Sequence, residues 1–155
     1  MAFQIELNST NYPMGDDLES QVISFLMRIG YISENKTRDA VVKSVPFRLF
    51  MDCFLKRRNK HWEIDELESY LGATRATVYR HLNKLKSLDI VEEVPFNSED
   101  TGYVHKGYRL RFSNLSRAWN FVEAHMEMTI EQYRKSVDRI QDRLQKEFVL
   151  EEDDA

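Results

Sequence analysis

Residues 62–91 read Trp62-Glu63-Ile64-Asp65-Glu66-Leu67-Glu68-Ser69-Tyr70-Leu71-Gly72-Ala73-Thr74-Arg75-Ala76-Thr77-Val78-Tyr79-Arg80-His81-Leu82-Asn83-Lys84-Leu85-Lys86-Ser87-Leu88-Asp89-Ile90-Val91. Asp65 is expected to cap a short helix through Leu71, with Leu67 and Leu71 turned inward. Gly72 permits the left-handed backbone of a tight turn, and Thr74 is a good cap for a second helix. In that helix Val78, Leu82, Leu85 and Leu88 share one face. At about 100° per residue, the opposite face holds Ala76, Arg80, Asn83 and Ser87. Thr77, Tyr79 and Lys84 flank it. Arg75 and Lys86 lie nearer the core edge, within sideways reach of a phosphate.

These residue types suit nucleic acid. Arg and Asn read guanine and adenine edges with paired hydrogen bonds. Thr, Tyr and Lys hold phosphates and set the register. A rigid helix presented in this way fits the DNA major groove. The formal charge of the 155-residue chain is −4, but the charge is unevenly placed. Residues 74–87 carry Arg75, Arg80, Lys84 and Lys86 and no acid, and Lys56, Arg57, Arg58 and Lys60 precede them. The acids gather in Asp16, Asp17 and Glu19 and in Glu151, Glu152, Asp153 and Asp154. A local basic face on an acidic chain is compatible with DNA binding.

Outward from this stretch, His61–Ile64 predicts a small strand. Ile90–Phe96 and Gly107–Phe112 alternate as strands, and a polar hairpin, Asn97–Lys106, joins them. His105, Lys106 and Arg109 are its candidate contacts to DNA, while Glu99 and Asp100 weaken it as a phosphate clamp.

The carrying pattern is Trp62-x-Ile64-x-x-Leu67-x-x-x-Leu71-Gly72-x-Thr74-x-x-x-Val78-x-x-x-Leu82-x-x-Leu85, followed by Ile90-Val91. On it, residues 44–112 resemble the winged helix-turn-helix domain of prokaryotic transcription regulators, in the broad ArsR/MarR-like group. The resemblance is specific for the fold and not for a subfamily. It implies that 74–87 is the recognition helix, with the wing assisting, and that a dimer binds a pseudo-palindromic operator in double-stranded DNA. Winged helices also serve as docking subunits of transcription or replication assemblies without touching DNA. That alternative predicts a more apolar or mixed-charge face.

The expected fold class is mainly α with a small β-hairpin, in three parts. Segment 1–40 holds an N-terminal arm and an amphipathic helix over 16–29, in which Leu18, Val22, Phe25, Leu26 and Ile29 share a face. Asp16 and Asp17 suit its start and Gly30 its end. The arm, with Phe3, Ile5 and Leu7 alternating, reads equally as a strand or as loose chain, and Asn8 to Gly15, with Pro13, reads as loop. Segment 41–113 is the winged domain. It opens with a helix over 44–58 that Ser44 caps and Pro46 enters in the first turn, or with one starting near Thr37 and kinked at Pro46. Segment 114–155 is a long helix from Leu115, capped by Ser113 or Asn114, with an acidic tail. Its stripe runs Trp119, Val122, Met126, Thr129, Tyr133, Val137, Ile140, Leu144 and Phe148, with a local stutter at Tyr133–Val137. Such a helix spans on the order of 50 Å, too far for a small domain to cover. A symmetry mate or helix 16–29 is the expected cover, and Trp119, Val122, Met126, Tyr133, Val137, Ile140 and Leu144 are the dimerisation candidates.

Other chemistry finds little material. Cys53, the single cysteine, sits in an apolar segment and reads as core. His81 reads as structural. His125 with Glu123, Glu127 and Glu131 reads as a solvated helix face rather than a metal site, and no metal or cofactor is expected. No phosphate-cradling glycine loop or Gly-x-Ser-x-Gly nucleophile is present, so the chain reads as non-enzymatic. No signal peptide or membrane span is recognised, which implies a cytoplasmic protein. Phe25, Met27, Phe47, Phe50, Met51, Trp119, Phe121, Met126 and Met128 leave a small-molecule effector pocket open, but core packing explains the same residues.

Overall fold

In a computed structural model of the chain, residues 2–8, 15–97 and 102–153 are described. The expected loop around Pro13, the hairpin-tip acids Glu99 and Asp100, and Asp154 lie outside them. The chain divides into two compact units, Met1–Trp119 and Asn120–Ala155, and segment 1–40 belongs to the first. The architecture is mainly helical with one antiparallel hairpin and a long C-terminal helix, a winged-helix-like arrangement.

Helix α1 spans Leu18–Arg28. Asp17 caps it, accepting from the Ser20 backbone N–H, and Val22, Ile23, Leu26 and Met27 are its buried face. The chain leaves through Gly30 at φ 75°. Thr37 caps a separate short helix, α2 (Arg38–Lys43). Ser44 then caps α3 (Val45–Arg48), with Pro46 in its first turn. The single helix expected over 44–58 changes character within a turn and continues as a π-helical stretch, Leu49–Leu55. Phe50, Cys53 and Phe54 in that stretch are fully buried. The Cys53 carbonyl accepts the indole N–H of Trp62 at 2.9 Å, so the large buried ring carries no orphaned donor.

Helix α4 spans Ile64–Leu71, and its N-cap is Glu63 rather than Asp65. The Glu66 carboxylate accepts from the Glu63 N–H at 3.1 Å, which moves the helix start two residues earlier. The strand expected at His61–Ile64 is correspondingly reduced to one bridge, Trp62 to Tyr108. Gly72 closes α4 at φ 61°. Arg48 donates to the carbonyls of Tyr70 and Leu71 at 3.1 and 3.3 Å, answering the helix's open C-terminal acceptors. Helix α5 spans Arg75–Ser87, capped by Thr74, with Val78, Leu82 and Leu85 buried.

The hairpin pairs β1 (Val91–Asn97) with β2 (Val104–Leu110), Val91 opposite Leu110 and Phe96 opposite His105. His105 and Lys106 therefore lie on β2 and not in the loop. The second strand stops at Leu110, short of Phe112. Phe112 and Ser113 adopt positive φ, which breaks the pleat and turns the chain. At Gly107 the hairpin passes so close to His61 and Phe96 that a Cβ would lie 2.9 Å from each.

Helix α6 runs Leu115–Asp153 and departs from helical geometry at Phe148. The Asn114 side chain accepts from the Arg117 N–H at 3.0 Å. Among the described residues, no helix is long and apolar enough to cross a membrane.

Candidate nucleic-acid interface

Of the expected contact residues on α5 and at its cap, Thr74, Arg75, Ala76, Arg80 and Lys84 are exposed, and Thr77, Tyr79, Asn83 and Lys86 are half-buried. Thr74 is occupied as a cap and bonds the Thr77 hydroxyl at 3.0 Å. Ala76, Arg80, Asn83 and Lys84 follow one another at four-, three- and one-residue steps, so they form a single outward ridge. The first turn of α5 carries no acidic residue, which leaves its positive end open to an anion.

The cations then fall into two classes. Several already have carboxylates. Arg75 is bound by Asp65 and by Glu68, the latter at 3.0 Å. Lys86 meets Glu93 at 2.9 Å and lies over the Tyr108 ring. Lys106 reaches the other oxygen of Glu93 at 3.5 Å. Arg109 pairs with Glu92 at 2.8 Å, and His105 approaches Glu63 at 3.2 Å. The hydrogen bond from Lys86 holds the Glu93 carboxyl below the usual range. Arg80 and Lys84, in contrast, have no carboxylate partner among the described residues. Arg80 approaches only the Nε2 of His81, at 3.5 Å.

Lys36, in the connection before α2, was not singled out by sequence. Its charge is felt at His81, whose pKa is pushed down to about 4, first by burial and then by Arg80, Lys84 and Lys36. A lone lysine in a polar connection carries no periodic signal, so only the fold could bring it to α5. Tyr31 anchors the same region, its phenol donating to the His81 carbonyl at 3.3 Å.

Residues 2–8 of the N-terminal arm form no strand. The arm docks through the Gln4 N–H to the Ser87 carbonyl and the Asn8 N–H to the Arg28 carbonyl, each 2.9 Å. A cleft of about 250 Å³ beside this contact is lined by Gln4, Glu6, Tyr31, Lys84 and Ser87 among others.

The effector-pocket candidates are spent largely on packing. Met27, Phe47, Phe50 and Met51 are buried, and Phe25 sets its ring against Phe50 and Trp119 at 6.2 and 5.5 Å. No cluster of three or more potential metal ligands occurs among the described residues.

Along α6, Val122 is buried and Trp119 half-buried. Met126 is half-buried. Beyond it Tyr133, Val137, Ile140 and Leu144 are exposed at 69, 54, 58 and 46%.

No protein-family model matches this chain, and no curated protein does. Among solved structures, the chain is similar to one titled "Possible transcriptional regulator" from Methanosarcina mazei Go1. The identity is 15% and the TM-score 0.43, covering 84% of this chain and 94% of that one.

Proposed function

We propose that this protein is a non-enzymatic, cytoplasmic transcription regulator that binds double-stranded DNA as a homodimer, with α5 in the major groove. One observation carries the reading. Among the described residues, Arg80 and Lys84 stand without carboxylates on an exposed helical ridge, while Arg75, Lys86 and Arg109 are already paired. An unpaired guanidinium at the centre of such a ridge fits a base edge, and an ammonium one position beyond Asn83 fits a phosphate. Placement in the ArsR/MarR-like group rests on the sequence pattern alone, and the reading needs no effector.

The paired cations favour a second reading. Glu63, Glu68, Glu92 and Glu93 make the surroundings of the ridge mixed in charge, as a protein-docking winged helix would be. Titration of the purified protein with random genomic duplex across a salt series, followed by sequencing of retained fragments, separates the two. DNA recognition gives a steep salt slope and an enriched inverted repeat. Docking gives a flat slope and no enrichment.

A further inference from the structure

We propose that α6 pairs with α6 of a second copy in the antiparallel sense, about a twofold axis level with residue 135. This deepens the dimer reading above and rests on it.

The apolar register differs slightly from the one read along the sequence. Thr129 is half-buried and its hydroxyl donates to the His125 carbonyl at 2.9 Å. Ile130 beside it is 63% exposed. With Ile130 in place of Thr129, the stripe becomes Met126, Ile130, Tyr133, Val137, Ile140 and Leu144. Its steps are 4, 3, 4, 3 and 4, an uninterrupted heptad pattern without a stutter. Ile130 and the four residues after it in the stripe are all exposed.

The stripe is self-complementary when reversed. An axis at residue 135 sets Met126 level with the partner's Leu144, Ile130 with the partner's Ile140, and Tyr133 with the partner's Val137. Every layer then joins one residue of each heptad class, and the bulky Tyr133 meets the smaller Val137. Parallel pairing would instead stack Tyr133 on the partner's Tyr133.

Charge decides between the two directions. Residues 123–131 contain Glu123, Glu127 and Glu131 and no Lys or Arg. An axis at residue 135 sets that segment level with the partner's residues 139–147, a stretch that contains Arg139, Arg143 and Lys146 against Asp142 and Glu147 and is net basic. Parallel pairing lays each segment beside its own copy, well within the ~8 Å over which charges are felt at physiological salt. Antiparallel pairing lays the acidic segment beside this net-basic one. Two pairs, Glu131 with Lys135 and Arg143 with Glu147, are already formed on exposed positions along the helix. Such pairs are weak and leave the segment charges in place. A closed twofold dimer is also the commonest symmetric assembly.

The test uses the full chain with Cys53→Ala and one new cysteine per variant, Met126→Cys or Leu144→Cys. Antiparallel pairing brings these two positions together and keeps each about 27 Å from its own copy. A disulfide-linked dimer is expected when the two variants are mixed, refolded and oxidised, and not from either variant alone. Linking of each variant to itself, with none added by mixing, overturns the proposal while leaving a dimer standing. Sedimentation of the unmodified protein as a monomer overturns both. Reversing charge gives a second readout that needs no cysteine. Glu127→Lys with Glu131→Lys should weaken the sedimentation dimer at least tenfold, because two basic segments then face each other. Unchanged or tighter association would mean that the acidic segments lie side by side, and the antiparallel arrangement would be wrong.

Discussion

The Lys86 ammonium sits 2.9 Å from the Glu93 carboxylate across the turn from α5 into β1, and Lys106 approaches that same carboxylate from β2. One acid thus holds two cations. Glu93→Gln should release both. If the DNA reading holds, non-specific duplex affinity rises and the salt slope steepens by about 0.9 for each cation that gains a phosphate. Stability should fall by no more than ~1 kcal/mol, since the groups are partly exposed. Filter binding at several salt concentrations measures the slope. An unaltered slope would place Lys86 and Lys106 outside the interface.

Arg80 and Lys84 are expected to fail in different ways. Arg80→Ala removes the group best placed for a base edge and should cost ~1–3 kcal/mol on the preferred site, relaxing selection at one base pair. Lys84→Ala should weaken binding to every sequence and flatten the salt dependence. Competition between the enriched repeat and random duplex separates the two effects. Equal losses on both DNAs for both variants would remove the assigned roles.

The local signals were the legible ones. Thr74 and Gly72 mark the turn because capping and left-handed backbone depend on one residue each. Val78, Leu82 and Leu85 mark the buried face because helical spacing fixes it. Which cations remain unpaired was not legible. Arg109 meets Glu92 because of strand register, and Arg75 meets Asp65 and Glu68 because α4 lies against α5. The π-helical stretch was also hidden, since Leu49–Leu55 has the composition of an ordinary buried helix. Nor did spacing alone prefer Ile130 to Thr129.

Gly30 meets the arm where neither can move freely. It has φ +75°, and a Cβ there would lie 2.6 Å from a Glu6 carboxylate oxygen and 2.8 Å from the Glu6 Cβ. Gly30→Ala should therefore cost ~1–2 kcal/mol for the backbone and more for the clash. In a double-mutant cycle, Glu6→Gly should recover the clash component and leave the backbone cost. Urea unfolding midpoints supply the four corners. Simple additivity would mean that the arm does not rest on Gly30 in solution.

His81 makes stability depend on pH in a defined window. Among the described residues its buried Nδ1 has no hydrogen-bond partner, and burial, Arg80, Lys84 and Lys36 hold its pKa at about 4, against an ordinary 6.5. Between those values the unfolded chain binds a proton at His81 and the folded chain does not. Stability must therefore fall as pH drops from about 6.5 towards 4, and this contribution levels off below. His81→Leu removes both the orphaned nitrogen and the titration. Its unfolding free energy should be less dependent on pH across the window, so the variant gains stability relative to the unmodified protein as pH falls from about 6.5 towards 4. The carboxylates common to both proteins cancel in the difference. Parallel curves from pH 7 to 4 would show that His81 titrates normally and is solvated in the folded chain.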